Sequence, residues 1–225
     1  MRILKPSRYS STLAAAALLI LPFAQAQERS SAPAIVVRNC SGCHEMDGRS
    51  QLPYIPRVAG MRAAYLERKL ANFHAEPSSP VDETVSVIVH PGSKDPGFTH
   101  AARANMVGIA HSVSDKDLKD AIQWYAAQTP APGRSAKPKL IEEGRSLFMN
   151  GLQSRGLPAC KGCHGAEAQG TSAAPRLAGQ NAGYVVNQLA LFHAGDPRCS
   201  PEMTEVARNI DTDQARAVAV YLQSR

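Results

Sequence analysis

Two pentapeptides, Cys40-Ser-Gly-Cys43-His44 and Cys160-Lys-Gly-Cys163-His164, constrain this 225-residue chain more than any other feature. Two thiols separated by two residues, with a histidine directly after the second, match the requirements of covalent haem attachment. The thiols add across the two haem vinyls as thioethers, and the histidine is carried to the iron as its proximal ligand. Competing readings of these cysteines are weaker. A redox disulfide needs Cys-x-x-Cys but has no use for the histidine. A zinc site would have to join pairs 120 residues apart, with no matching second histidine cluster. The sequence therefore predicts two covalently bound haem c groups. Cys40, Cys43, Cys160 and Cys163 attach them, and His44 and His164 are the proximal ligands.

Composition fits that reading. Only 5% of the residues are aromatic, with one Trp and five Phe, so few large side chains exist to fill a core. A porphyrin in each half supplies the missing bulk.

The N-terminus reads as an export signal. Arg2, Lys5 and Arg8 form a basic segment, Thr12 to Phe23 an apolar one, and Ala24-Gln25-Ala26 a small-x-small cleavage site. The apolar run is shorter than the roughly 20 residues that cross a bilayer. The expectation is cleavage after Ala26 and a periplasmic chain that starts at Gln27. The full chain carries a formal charge of +6; without Arg2, Lys5 and Arg8 it has 22 basic and 19 acidic residues, net +3. Four propionates and two ferric centres would bring the total to about +1. With no basic run and no interleaved aromatics, nucleic acid is excluded as a partner.

The two halves repeat each other. Pro56-Arg57-Val58-Ala59-Gly60 matches Pro175-Arg176-Leu177-Ala178-Gly179, Tyr65 matches Tyr184, and Phe73-His74-Ala75 matches Phe192-His193-Ala194. A later block aligns Met106 with Met203, Ala110 with Ala207 and Trp124 with Tyr221. The offset falls from 119 to 97 between these blocks, so the first half carries a 22-residue insertion, expected as a surface loop or small subdomain at about 76–105. Residues 1–26 are then the signal, 27–128 the first domain, 129–139 a stiff proline-rich linker and 140–225 the second domain. The pattern is all-α. Helices are predicted over 63–73, 118–127, 139–149, 182–192 and 215–222. Ser114 and Asp211 are N-cap signals. Only Thr84–Val89, inside the insertion, reads as a strand.

A second axial ligand is needed to close each iron, and a thioether suits electron transfer. Of the methionines after the signal, only Met106 and Met203 align in the repeat, which selects them. His74 and His193 also align, but each ends a helix, where a histidine interacts with terminal carbonyls and the dipole. His90 and His100 are unpaired in the repeat and are alternatives to Met106. Cys199, four residues before Met203, is an inert thiol, an intermolecular disulfide partner or a thiolate ligand. Arg57 and Arg176 are suited to the haem propionates.

These motifs resemble the dihaem cytochromes c of the c4 type, two class I cytochrome c folds in tandem. Gly156-Leu-Pro-Ala-Cys160-Lys-Gly-Cys163-His164-Gly165 and Pro175-Arg-Leu-Ala-Gly-Gln180 carry the resemblance most closely. It implies His44 and His164 as proximal ligands and Met106 and Met203 as distal ones. It also implies that the carbonyls of Pro56 and Pro175 accept from the proximal Nδ1–H groups. The first half departs from the pattern: Glu45 follows His44 where the family has glycine, and the helix before Cys40 is short, about 31–39.

The expected function is electron transfer between redox proteins, with no catalytic residues. A donor dehydrogenase or bc1-type complex would reduce the chain, and an oxidase or reductase would oxidise it. Its place as the cytochrome subunit of such an enzyme and a peripheral membrane association both fit. The alternative is a dihaem enzyme, thiosulfate-oxidising or peroxidase-like, which would need an open or cysteine-ligated iron.

Overall fold

Every haem-binding motif lies in residues that the computed structural model describes: 32–76, 97–196 and 199–225, with backbone alone for 97–102. The expected signal segment, the 84–89 strand and His90 lie outside them, as does the His100 side chain. The chain divides into two units, Met1–Ala32 and Pro33–Arg225, and the second contains both cysteine motifs. No described helix is long and apolar enough to cross a membrane.

The described structure is helical, apart from an isolated bridge between Leu152 and Leu157. In the first half, a π-helical turn at Val36–Cys40 runs into α1 (Ser41–His44). It is followed by α2 (Ala63–Ala75), α3 (Gly97–Ser112) and α4 (Asp115–Ala127). The second half contains α5 (Pro138–Asn150), α6 (Lys161–His164), α7 (Ala182–His193), α8 (Pro201–Ala207) and α9 (Thr212–Gln223). The repeat is visible as paired elements: α1 with α6, α2 with α7, α3 with α8, and α4 with α9.

The same main-chain bonds hold both halves. Val58 and Ala59 N–H donate to Gly48 O, as Leu177 and Ala178 N–H donate to Ala168 O. Gly60 N–H donates to Tyr125 O, as Gly179 N–H donates to Leu222 O. These bonds bring the loop after each motif histidine onto the last helix of its half. The predicted caps form. Ser114 Oγ accepts from Asp117 N–H at 3.2 Å. Asp211 and Gln214 make a reciprocal capping box at 2.9 and 3.1 Å.

Part of the insertion, expected as a surface loop or small subdomain, has regular structure. Residues 97–105 are helical and belong to α3. Alanines at 101, 102 and 104 favour that state over a coil. The linker is extended but does not act as a free spacer. Arg134 N–H donates to Gln223 O at 2.9 Å, Ala131 is buried, and Thr129 O accepts from Arg49 Nε at 2.9 Å. Its prolines set a path along the C-terminal helix.

The two halves exchange a glycine around the haem-binding motif. Gly165, after His164, sits at φ 82° and ψ 152°; Glu45 occupies the same place at φ 64° and ψ 166°. Only glycine populates that region without strain, which costs of order 1–3 kcal/mol. Three residues on, the roles reverse: Gly48 has φ 74° and Ala168 φ 53°. A Cβ on Gly48 would meet the Tyr125 ring at 2.9 Å. The first half therefore keeps glycine where Tyr125 crosses and strain at Glu45. Tyr125 Oη donates to Glu45 O at 3.0 Å and Trp124 Nε1 to Met46 O at 2.7 Å, clamping the strained turn. Glu45→Gly is expected to stabilise the protein by about 1 kcal/mol after glycine's entropy cost, read as a raised melting temperature.

Candidate haem sites

Each motif histidine is placed by a four-residue helix and oriented by a proline carbonyl. His44 Nδ1 donates to Pro56 O at 3.0 Å, and His164 Nδ1 donates to Pro175 O at 2.9 Å. A carbonyl can only accept, so the ring proton lies on Nδ1 and the lone pair on Nε2. Burial pulls both imidazoles below their usual pKa, partly offset by those carbonyl bonds. Both rings are thus held neutral with Nε2 ready for a metal. Ser50 Oγ and Thr171 Oγ1 donate to Cys43 O and Cys163 O at 2.7 and 2.9 Å, fixing the end of each motif.

The cysteines differ within each pair. Cys43 and Cys163 are exposed, Cys40 and Cys160 half-buried. Burial pushes the Cys40 and Cys160 thiols up to about 11, the opposite of the stabilised thiolate in a thioredoxin-like motif. Met106 and Met203, on α3 and α8, are both half-buried. Ser200 caps α8 by accepting from Met203 N–H at 3.3 Å, which fixes the backbone at that methionine.

The arginines test whether an anionic cofactor fits. Arg176 Nε is buried with no hydrogen-bond partner, and burial works against its charge. No acidic side chain pairs with Arg57 or Arg176 among the described residues. A buried N–H of a half-buried guanidinium left without a partner is costly, and a haem propionate is a suitable acceptor. Arg57, expected in the same role, is buried and also bonds to main-chain carbonyls. Its Nη1 donates to Gly179 O at 2.6 Å and its Nε to Ser50 O at 3.2 Å.

Residues 141–225 match the family model for cytochrome c. Cytochrome c-552 of Acidithiobacillus ferridurans is 32% identical over 195 residues, covering 86% of this chain and 76% of that protein. Cytochrome c4 of Azotobacter vinelandii is 31% identical, covering 82% of this chain and 83% of its own. The chain belongs to the cytochrome c4 family. The crystal structure of reduced recombinant cytochrome c4 from Pseudomonas stutzeri superposes with a TM-score of 0.67 at 29% identity, over 89% of this chain and 97% of that one. A protein named thiosulfate dehydrogenase electron acceptor, from Stutzerimonas stutzeri, is 30% identical and covers 81% of this chain and 76% of its own. As a c4-type cytochrome, the protein has two class I cytochrome c folds, binds two covalent haem c groups and transfers electrons.

The contact between the two halves of this c4-type chain holds polar residues that the sequence did not single out. Asn181 is 1% exposed, and its Nδ2 donates to Ser50 O, Leu52 O and Ile55 O at 3.2, 2.9 and 2.8 Å. Gln180 brackets Arg57: Oε1 accepts from Arg57 N–H at 2.8 Å, and Nε2 donates to Arg57 O at 3.0 Å. The available signal was a mismatch in the repeat, where Met61 and Arg62 stand opposite Gln180 and Asn181. The paired tyrosines also approach each other. Burial pushes Tyr65 up to about 12 and Tyr184 higher still, with Tyr65 adding to the latter.

His193 and His74 do not cap their own helices. His193 Nδ1 donates to Ala207 O at 2.9 Å, tying α7 to the end of α8. His74 stacks on His111 with ring centroids 4.8 Å apart. Cys199 is half-buried and lines a cavity of about 420 Å³ with Asp196, Thr204, Glu205 and Arg208.

Proposed function

We propose that this chain is an exported, periplasmic electron carrier with both irons ligated by histidine and methionine, His44 with Met106 and His164 with Met203. The observation that carries this reading is the duplicated pair of Nδ1 bonds to Pro56 and Pro175, which presents two neutral imidazoles in matching loops. When bound, each haem iron carries one electron by cycling between Fe(III) and Fe(II). The chain's own residues orient the proximal ring, supply the thioether and neutralise a propionate at Arg176. Rigid caps at Ser200 and Asp211 keep these groups in place, so little rearranges on transfer.

The resemblance to a thiosulfate dehydrogenase electron acceptor supports a dehydrogenase as donor. A bc1-type complex is the other class of donor, and an oxidase or reductase the acceptor. The N-terminal basic and apolar segments with Ala24-Gln25-Ala26 support export.

The reading is tested by counting haems and titrating the reduced protein with carbon monoxide. Two haems per chain and an unchanged spectrum are expected. Carbon monoxide binding at either haem would reveal an open or labile site and overturn the closed-carrier reading.

A further inference from the structure

Two hydrogen bonds meet on one peptide group. The C=O of Pro56 accepts from His44 Nδ1 at 3.0 Å, and the N–H of the same peptide, on Arg57, donates to Gln180 Oε1 at 2.8 Å. Gln180 comes from the other half of the chain and is 2% exposed. Its amide is pinned, with Nε2 on Arg57 O at 3.0 Å and Oε1 also accepting from Asn181 N–H at 2.9 Å. The second half has no such relay. Pro175 O accepts from His164 Nδ1, but the Arg176 N–H makes no hydrogen bond among the described residues. At the position that would supply an acceptor, the repeat has Met61, and a thioether accepts weakly.

Hydrogen bonds in series polarise one another. A peptide whose N–H donates to an acceptor carries more negative charge on its carbonyl oxygen. That oxygen then draws more strongly on the histidine proton, and the ring becomes a more basic ligand. A more basic ligand favours Fe(III). We infer that Gln180 is a positioning residue for the first haem. It strengthens the Pro56–His44 bond from across the contact between the halves and lowers the first haem's potential relative to the second's. This rests on the proposed ligation of the first iron by His44.

The test uses the full haem-loaded chain. Gln180→Leu conserves volume and removes the acceptor. At a fixed applied potential, the Fe(II)/Fe(III) ratio of the first haem is expected to rise about threefold, or about 30 mV at roughly 59 mV per tenfold. The second haem's midpoint stays in place. The His44 Nδ1–H proton resonance of the reduced protein moves upfield. Should the leucine variant fail to fold, Gln180→Met, which copies Met61, has the same expected readouts.

Asn181→Ala separates this effect from a general loosening. It removes the bonds to Ser50, Leu52 and Ile55 without touching the Pro56–Arg57 peptide. It should lower the unfolding temperature and leave both midpoints where they were. A first-haem midpoint and His44 proton unmoved in the Gln180 variant overturn the inference, as does an equal shift from Asn181→Ala. Lack of an iron-ligated His44 signal in the unmutated protein would instead remove the ligation reading, before any variant is compared.

Discussion

Gly144→Ala is expected to lower the unfolding temperature of the haem-loaded protein by about 10 °C, a loss of about 3 kcal/mol. Gly144 lies on α5 where it crosses α9. A Cβ there would sit 2.0 Å from Ala217 O, 2.5 Å from Ala217 C and 2.7 Å from the Tyr221 Cβ. Two of those atoms are main chain inside a helix, so no rotamer change can relieve the clash. The helices must separate, which draws fully buried Phe148 away from Tyr221, whose ring centroid is 5.5 Å distant. Adding a methyl to a well-packed contact costs about 1–3 kcal/mol, and the rigid obstacle places this case at the upper end. Gly108→Ala is the matched control. That glycine is inside α3 with nothing within 4 Å of a Cβ, so alanine should gain about 1 kcal/mol from helix propensity. Thermal melts followed by circular dichroism check both. A Gly144→Ala melt within a few degrees of the parent would mean that α5 and α9 do not pack this closely.

The two haem-attachment motifs were legible in the sequence because covalent attachment demands adjacent residues. Cys40 to His44 must lie on one helical turn, so spacing alone placed the motif. Caps were equally local, as Ser114 and Asp211 show. The contact between the halves was not legible. Gln180 and Asn181 are polar, and in one dimension they resemble a solvated helix start. Their burial depends on carbonyls of residues 50–57, more than 120 positions away. The linker was legible as an extended segment from its prolines, but the surface it lies on was not, for the same reason.

The repeat also ran out at the aromatic positions. Trp124 aligns with Tyr221, and the main-chain bonds from Gly60 and Gly179 keep that register. Yet the ring near the motif histidine in the first half is Tyr125, centroid 6.2 Å from His44, whereas the second half has Leu222 at that place. Gly48 makes room for it, and Ala168 matches the smaller neighbour. A pair of compensating differences in separate motifs leaves no local pattern to read.

Met203→Ala is expected to open the second haem and leave the first closed. Pro201 and Ser200 start α8, and the Ser200 Oγ bond to Met203 N–H holds the methionine backbone in the first turn. His193 then ties α7 to Ala207 at the other end of α8, so the segment cannot slide to offer a replacement donor. With the thioether gone, the reduced protein should bind one carbon monoxide per chain where the parent binds none. The sulfur-to-iron charge-transfer band should halve. The second haem's midpoint should fall by on the order of 0.1 V, a fraction of the roughly 0.8 V range that axial ligands span. Met106→Ala should produce the mirror result at the first haem. There the tie is made from the other side: His111, near the end of α3, donates from Nε2 to Glu76 O at the end of α2 at 2.8 Å, while its ring stacks on His74. A closed second haem in Met203→Ala would exclude this methionine as ligand and direct attention to Cys199, four residues earlier, as the sulfur at that iron.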